Sequence, residues 1–171
     1  MAQNHIHIVK MGGTIEFIDP AYDNINKEMM KLDTSVEHYL SNLVKPHFTY
    51  EVEVVCEKDS RTITQEDLDR LWLAVKSSNK ENILVTHGTF TMPNTAKFLE
   101  KSLSQGGVRK KIILTGSMVP IAGFATSDAA FNLGYSIASF DNVELGVYIS
   151  MNGGIFKPDE VKKNPALLRF E

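Results

Sequence analysis

Five short runs rich in β-branched and aliphatic residues, Ile6 to Met11, Tyr50 to Val55, Asn82 to Thr86, Ile112 to Thr115 and Val143 to Met151, alternate with stretches of helical periodicity. Runs that are apolar at nearly every position have both faces buried, and the long connections between them leave room for helices that return the chain to the same end of a sheet. The pattern therefore predicts a single α/β domain: a parallel sheet with helices on both faces, flavodoxin-like or Rossmann-like in class. In such sheets the loops after the strand C-termini carry the chemistry.

From Asn26 to Val44, Leu32, Val36, Tyr39, Leu40 and Leu43 recur at helical spacing before Pro46 ends the run. Thr64 and Asp67 have the spacing of a capping box ahead of Leu68, Leu71, Trp72 and Val75. A third helix is expected from Pro93 to Gln105, with proline in its first turn, and a fourth capped by Thr126 or Ser127 and carrying Ala130, Leu133, Ile137 and Phe140 on one face. The charged tail from Lys157 to Glu171, punctuated by Pro158 and Pro165, reads as helical or irregular.

A chain of 171 residues with 43% hydrophobic and 23% charged residues is an ordinary globular domain, so residues 1–171 are expected to form one unit. Its net charge of −3 and scattered lysines offer no basic stripe, which argues against nucleic acid as a partner. No apolar run approaches the roughly 18 residues that span a bilayer, and the N-terminus has no cationic region followed by an apolar core. The expected location is the cytoplasm, away from membranes. Cys56, the only cysteine, sits among valines as a buried hydrophobe, and the histidines share no ligand spacing; no metal and no organic cofactor is expected.

Three strand-end loops stand out. In Met11-Gly12-Gly13-Thr14-Ile15-Glu16 paired glycines allow a sharp turn with amides facing a ligand while Thr14 presents a hydroxyl. Thr86-His87-Gly88-Thr89-Phe90-Thr91-Met92 also follows an apolar strand, which brings its hydroxyls to the same edge of the sheet. His87 reads as a loop-shaping ring bonded to backbone. The third segment, Lys110 to Met118, places lysines at the start of a buried strand and a Thr-Gly-Ser-Met turn at its end.

These residues resemble a known family. Gly12-Gly13-Thr14-Ile15 and Thr86-His87-Gly88-Thr89 resemble the two threonine signatures of bacterial-type L-asparaginases, and Lys110 through Met118 is similar to their lysine strand and turn. Ser127-Asp128 and Phe131-Asn132-Leu133 look like the helix that follows. The likeness runs over nearly the whole chain and is closest to short asparaginases made of the N-terminal domain alone, which implies a complete chain. It further implies an amidohydrolase acting on a small-molecule amide or carboxylate. Thr14 would be the nucleophile that forms an acyl-enzyme, assisted by Tyr22 on the following segment. Thr89 and Lys110 would form a second hydroxyl-and-base set. Ser60 would hold a substrate carboxylate, with Gly13, Gly88, Phe90 and Arg61 completing the binding surface.

The sequence departs from the family pattern at two positions. Phe90 stands where the second signature has an aspartate, and Arg61 where a glutamine is usual. The family's aspartate orients the lysine and pairs with a substrate ammonium, so both exchanges push the site toward positive charge. Lys110, deprived of an anion, would be a neutral base. Three readings follow: an amidohydrolase preferring an amide with a carboxylate but no α-ammonium, or one with a second carboxylate that meets Arg61; a weak asparaginase in which Asp59 or Glu16 replaces the missing carboxylate; or an inactive homologue that binds or senses small anions. A phosphate-binding flavodoxin-like domain is more distant, because Gly12-Gly13-Thr14 matches no nucleotide fingerprint. Relatives cover their pockets with a neighbouring subunit, so a homodimer is expected.

Overall fold

The computed structural model describes residues 5–16, 36–122 and 126–171. A six-stranded sheet is built from β1 (His5–Gly12), β2 (Thr49–Lys58), β3 (Asn82–Thr86), β4 (Lys111–Thr115), β5 (Gly146–Met151) and β6 (Gly154–Phe156), in the order β2-β1-β3-β4-β5-β6. The first five strands pair in parallel, and β6 folds back antiparallel on β5. The chain crosses from β2 on one side of β1 to β3 on the other. The strand order thus reverses direction at β1/β3, and the crevice outside the C-terminal ends of those two strands is where ligands bind in folds of this kind.

Helices α1 (Val36–His38, widening into a π-type turn over Tyr39–Val44), α2 (Gln65–Ser77), α3 (Met92–Gly106) and α4 (Ala129–Ser139) cover the two faces. One face packs Val9, Met11, Val85, Leu114 and Ile149 against Leu71, Val75 and Leu99 of α2 and α3. The other packs Ile6, Ile8, Leu84, Ile113 and Tyr148 against Val36, Leu40, Leu133 and Phe140. Each of the fully buried aliphatic side chains contributes about 1.5–3 kcal/mol relative to exposure, which is why runs without alternation specify central strands.

The expected elements are present with shifted ends. The capping box at α2 forms: Asp67 N donates to Thr64 Oγ1 at 3.3 Å and Thr64 N to Asp67 Oδ2 at 2.9 Å. Lys58 Nζ reaches the same carboxylate at 2.7 and 2.8 Å, and these bonds hold Asp67 down at a pKa of about 2. Ser127 Oγ accepts from Ala129 N at the start of α4. The helix expected from Asn26 is described only from Val36, its earlier residues lying outside the described ones. The tail forms neither a helix nor an irregular strap but a hairpin, β7 (Lys163–Asn164) paired with β8 (Arg169–Phe170). Val161 and Phe170, 4% and 3% exposed, sink into the core on the α2/α3 face and fix the hairpin to the domain. Among the described residues no helix is long and apolar enough to cross a membrane.

Candidate active site

The loops after β1 and β3 touch through glycine backbones. Gly13 has φ +84°, and a Cβ built on it would lie 2.2 Å from Gly88 N and 2.4 Å from Gly88 Cα. Only glycine permits that approach at that dihedral. Thr14 and Thr89 are each the next residue after a glycine of this backbone contact. Gly13 N–H donates to Lys58 O at 2.9 Å, so the expectation that this amide faces a ligand is not met. The contribution of Gly13 is the close approach itself.

Ser60 is drawn into the same cluster by a short turn, Ser60–Thr62, after β2. A Cβ on Gly88 would meet Ser60 Cβ at 2.7 Å and Oγ at 2.8 Å, and Thr91 Oγ1 donates to Ser60 O at 2.8 Å. Ser60 is 3% exposed. His87 is fully buried: Nδ1 donates to Gly88 O at 2.8 Å and Nε2 accepts from Thr95 Oγ1 at 2.9 Å, which fixes the neutral tautomer. Burial pushes its pKa down to about 4. The ring shapes the loop and lies beneath it.

Lys110 does not join the threonines. Its ammonium donates to Ser78 O at 2.7 Å and Lys80 O at 2.5 Å, capping the end of α2. The residue precedes β4, whose first residue pairs with Asn82 at the start of β3, so it lies at the N-terminal end of the strands. The five residues of β4 put about 16 Å between that end and the C-terminal loops, farther than a lysine side chain reaches. At this opposite end an open groove of about 490 Å³ is lined by His7, Glu51, Glu53 and Ser78.

A different lysine takes the place. Lys163 on β7 donates from Nζ to Thr89 Oγ1 at 2.7 Å and stands 3.8 Å from the centroid of the Phe90 ring. Its pKa is lowered, first by desolvation and then by the charge of Arg61. Sequence reasoning missed it because a two-residue strand has no periodicity and the Lys162-Lys163 pair reads as a solvated charge run. The apolar positions Val161 and Phe170, flanking that pair within a charged tail, were the available signal of a docked hairpin.

The hairpin is held by a chain of side-chain bonds across the strand ends. Phe170 N donates to Asn152 Oδ1 at 3.0 Å, and Asn152 N to Asn132 Oδ1 at 3.0 Å. Asn132 Nδ2 donates to Gly116 O at 3.0 Å and to Asp128 at 2.9 Å. The Asp128 carboxylate in turn accepts Met118 N and Val119 N at 3.0 Å. Met118 to Val119, the start of α4, the β5–β6 turn and the tail are thereby tied together.

Phe90 is 55% exposed, an unusual setting for a large ring beside a buried hydroxyl. Arg61 Cζ stands 4.9 Å from its centroid. Arg61 donates from Nε and Nη2 to Asp59 at 2.9 and 2.8 Å, and these bonds hold the Asp59 pKa at about 2. The guanidinium charge is offset by its own neighbour, so the gain of positive charge is smaller than two unpaired exchanges would give. Glu16 is not available near Phe90 either: its side chain, 3% exposed, pairs with Lys10 at 3.2 Å and accepts from Thr86 Oγ1 at 3.1 Å. Tyr22 lies outside the described residues. Among the described residues no group of three or more His, Cys, Asp or Glu side chains is placed to hold a metal ion.

The family described as Asparaginase, N-terminal, matches residues 5–168. A glutaminase-asparaginase of Acinetobacter glutaminasificans is 35% identical over 92 residues, which cover 52% of this chain and 27% of that protein. The fold is shared with the thermostable L-asparaginase from Thermococcus kodakarensis (TM-score 0.73, 24% identity) and the probable cytoplasmic L-asparaginase from Campylobacter jejuni (TM-score 0.73, 23% identity). Each superposition covers 98% of this chain and 50% or 51% of the other, so the chain spans about half the length of these solved relatives.

Proposed function

Because the chain belongs to the asparaginase family, through the N-terminal domain that matches residues 5–168, we propose that it is an amidohydrolase that cleaves a small side-chain amide through a threonine ester and releases ammonia. Thr14 Oγ1 attacks the amide carbonyl carbon. As the new C–O bond forms and the C–N bond breaks, the nitrogen takes up the hydroxyl proton and leaves as ammonia. Water then attacks the ester, the acid departs, and the threonine regains its proton.

Thr89 and Lys163 are the base set of this reading. The observation that carries it is the 2.7 Å bond between Lys163 Nζ and Thr89 Oγ1 beside the Gly13–Gly88 contact. A lysine of lowered pKa has an accessible amine form, which accepts a proton from Thr89 and so activates the hydroxyl or a water hydrogen-bonded to it. Ser60, packed on Gly88, binds a substrate carboxylate. Phe90 and Arg61 alter specificity. Tyr22 assists from its own segment, and the single domain works as a homodimer in the cytoplasm.

A second reading, an inactive homologue that binds small anions, is favoured by one observation: Phe90, not a carboxylate, contacts Lys163. The test is ammonia release from asparagine, glutamine, succinamate and simple acyl amides by the wild type and by Thr14→Ala, Thr89→Val and Lys163→Met. Turnover abolished by all three substitutions supports the enzyme. Absence of turnover with every amide leaves the binder.

A further inference from the structure

Resting on that amidohydrolase reading, we propose that the site takes the monoamide of a short dicarboxylic acid that has no α-ammonium group, of the succinamate type, and discriminates against asparagine. The ring of Phe90 is 55% exposed beside Thr89, and two cations already occupy its surroundings: Lys163 Nζ at 3.8 Å and Arg61 Cζ at 4.9 Å from the centroid. An aromatic face attracts cations, and here that attraction is already satisfied by the protein.

The carboxylates of the adjoining segment are equally committed. Asp59 binds Arg61 through both oxygens, and Asp67 binds Lys58 and the α2 cap. A substrate ammonium brought to Thr89 would meet Lys163 at the hydroxyl, in the ammonium form it holds before it serves as a base, and the Asp59-paired guanidinium of Arg61 across the ring. A methylene at the same position meets the Phe90 face and loses nothing. A carboxylate at the other end of such a substrate meets the Ser60–Gly88 floor within the field of Lys163. Both neighbours carry the same sign as a substrate ammonium, and among the described residues no uncommitted carboxylate stands beside Phe90 to offset them, so the amine-free acid is preferred.

Two measurements decide the matter, and they separate this inference from the reading beneath it. Succinate and L-aspartate differ only in the ammonium group, and their binding to the chain is read by calorimetry or by the shift of the melting temperature, with no dependence on turnover. Succinate is expected to bind at least tenfold more tightly. In the ammonia assay, kcat/KM for succinamate is expected to exceed that for asparagine at least tenfold, and Phe90→Asp to narrow or invert that ratio by tenfold or more. Phe90 is outside the core, so its replacement leaves the fold intact, and Phe90→Asn checks that the effect follows charge and not lost ring area.

Aspartate binding as tightly as succinate, or asparagine hydrolysed as efficiently as succinamate, overturns the inference and leaves the amidohydrolase standing. Selective succinate binding with no turnover of any amide supports the ligand class and overturns the enzyme. Neither binding nor turnover overturns both.

Discussion

Lys163 and Thr89, 74 residues apart in sequence, are joined by a 2.7 Å hydrogen bond from Nζ to Oγ1. Lys110, the lysine whose sequence setting drew attention first, is bonded instead to two carbonyls at the far end of the strands. The two residues have opposite expected phenotypes.

Lys163→Met is expected to lower kcat by about 10²–10⁴-fold, the usual worth of a general base, with the thermal midpoint nearly unchanged. Lys110→Met removes two charge-assisted bonds at the end of α2 and is expected to cost about 1.5–3 kcal/mol of stability, while the folded fraction keeps its kcat. Parallel ammonia assays and thermal melts check both. A Lys110 variant that is fully stable and inactive would reverse the assignment.

The pH dependence of turnover has a predicted direction. Lys163 acts as the amine, so kcat/KM should rise with pH through its lowered pKa and then level off. Desolvation and Arg61 are the causes of that lowering. Arg61→Gln removes the second, which raises the pKa and moves the rise to higher pH. Phe90→Asp adds an anion beside the ammonium and moves it further in the same direction. Profiles that coincide for all three proteins would exclude Lys163 as the titrating group.

His87 links stability to acidity. Its pKa in the fold is about 4, against 6.5 for the free side chain. Between those values the unfolded chain binds a proton that the folded chain does not, so stability declines as pH is lowered from 6.5 toward 4. At 1.36 kcal/mol per pH unit the loss is about 3 kcal/mol over the window. Urea titrations at several pH values measure it, and His87→Gln should flatten that part of the curve.

Gly13→Ala and Gly88→Ala should differ in severity. The added methyl at Gly13 strikes the backbone of Gly88, which cannot step aside, and φ is +84° as well. The cost is expected to be at least about 2 kcal/mol. At Gly88 the nearest atoms belong to the Ser60 side chain, so the penalty is smaller, and Ser60→Gly should relieve most of it. Chemical denaturation of the two single variants and the double variant gives the order.

Much of this architecture was legible in the residues. The parallel strands declared themselves because burial on both faces leaves an unbroken apolar run, as in Ile112 to Thr115, and the α2 cap because Thr64 and Asp67 have a mechanism at fixed spacing. The convergence of the Thr14 and Thr89 loops follows from their position after neighbouring strands. What stayed hidden depends on tertiary contact. Lys163 is placed by the burial of Val161 and Phe170 and by the bond from Phe170 to Asn152, none of which leaves a local periodic trace. Lys110 misled for the converse reason: a lysine next to a strand gives no indication of which end of the sheet it occupies until the direction of that strand is applied. The pairing of Arg61 with Asp59 was equally invisible, since two adjacent charges at a loop read as solvated until their geometry is seen.

The hairpin that carries Lys163 is a two-stranded sheet of its own, with only β7 and β8 to hold its shape. It can settle only on a surface that the α2/α3 face and the β5–β6 turn have already finished. A folding intermediate with a complete parallel sheet would therefore display both threonine hydroxyls with no base beside them, and would acquire reactivity only when Phe170 seats. Onset of turnover in a refolding experiment should lag behind the recovery of far-ultraviolet ellipticity, and the length of that lag reports the docking of about ten residues.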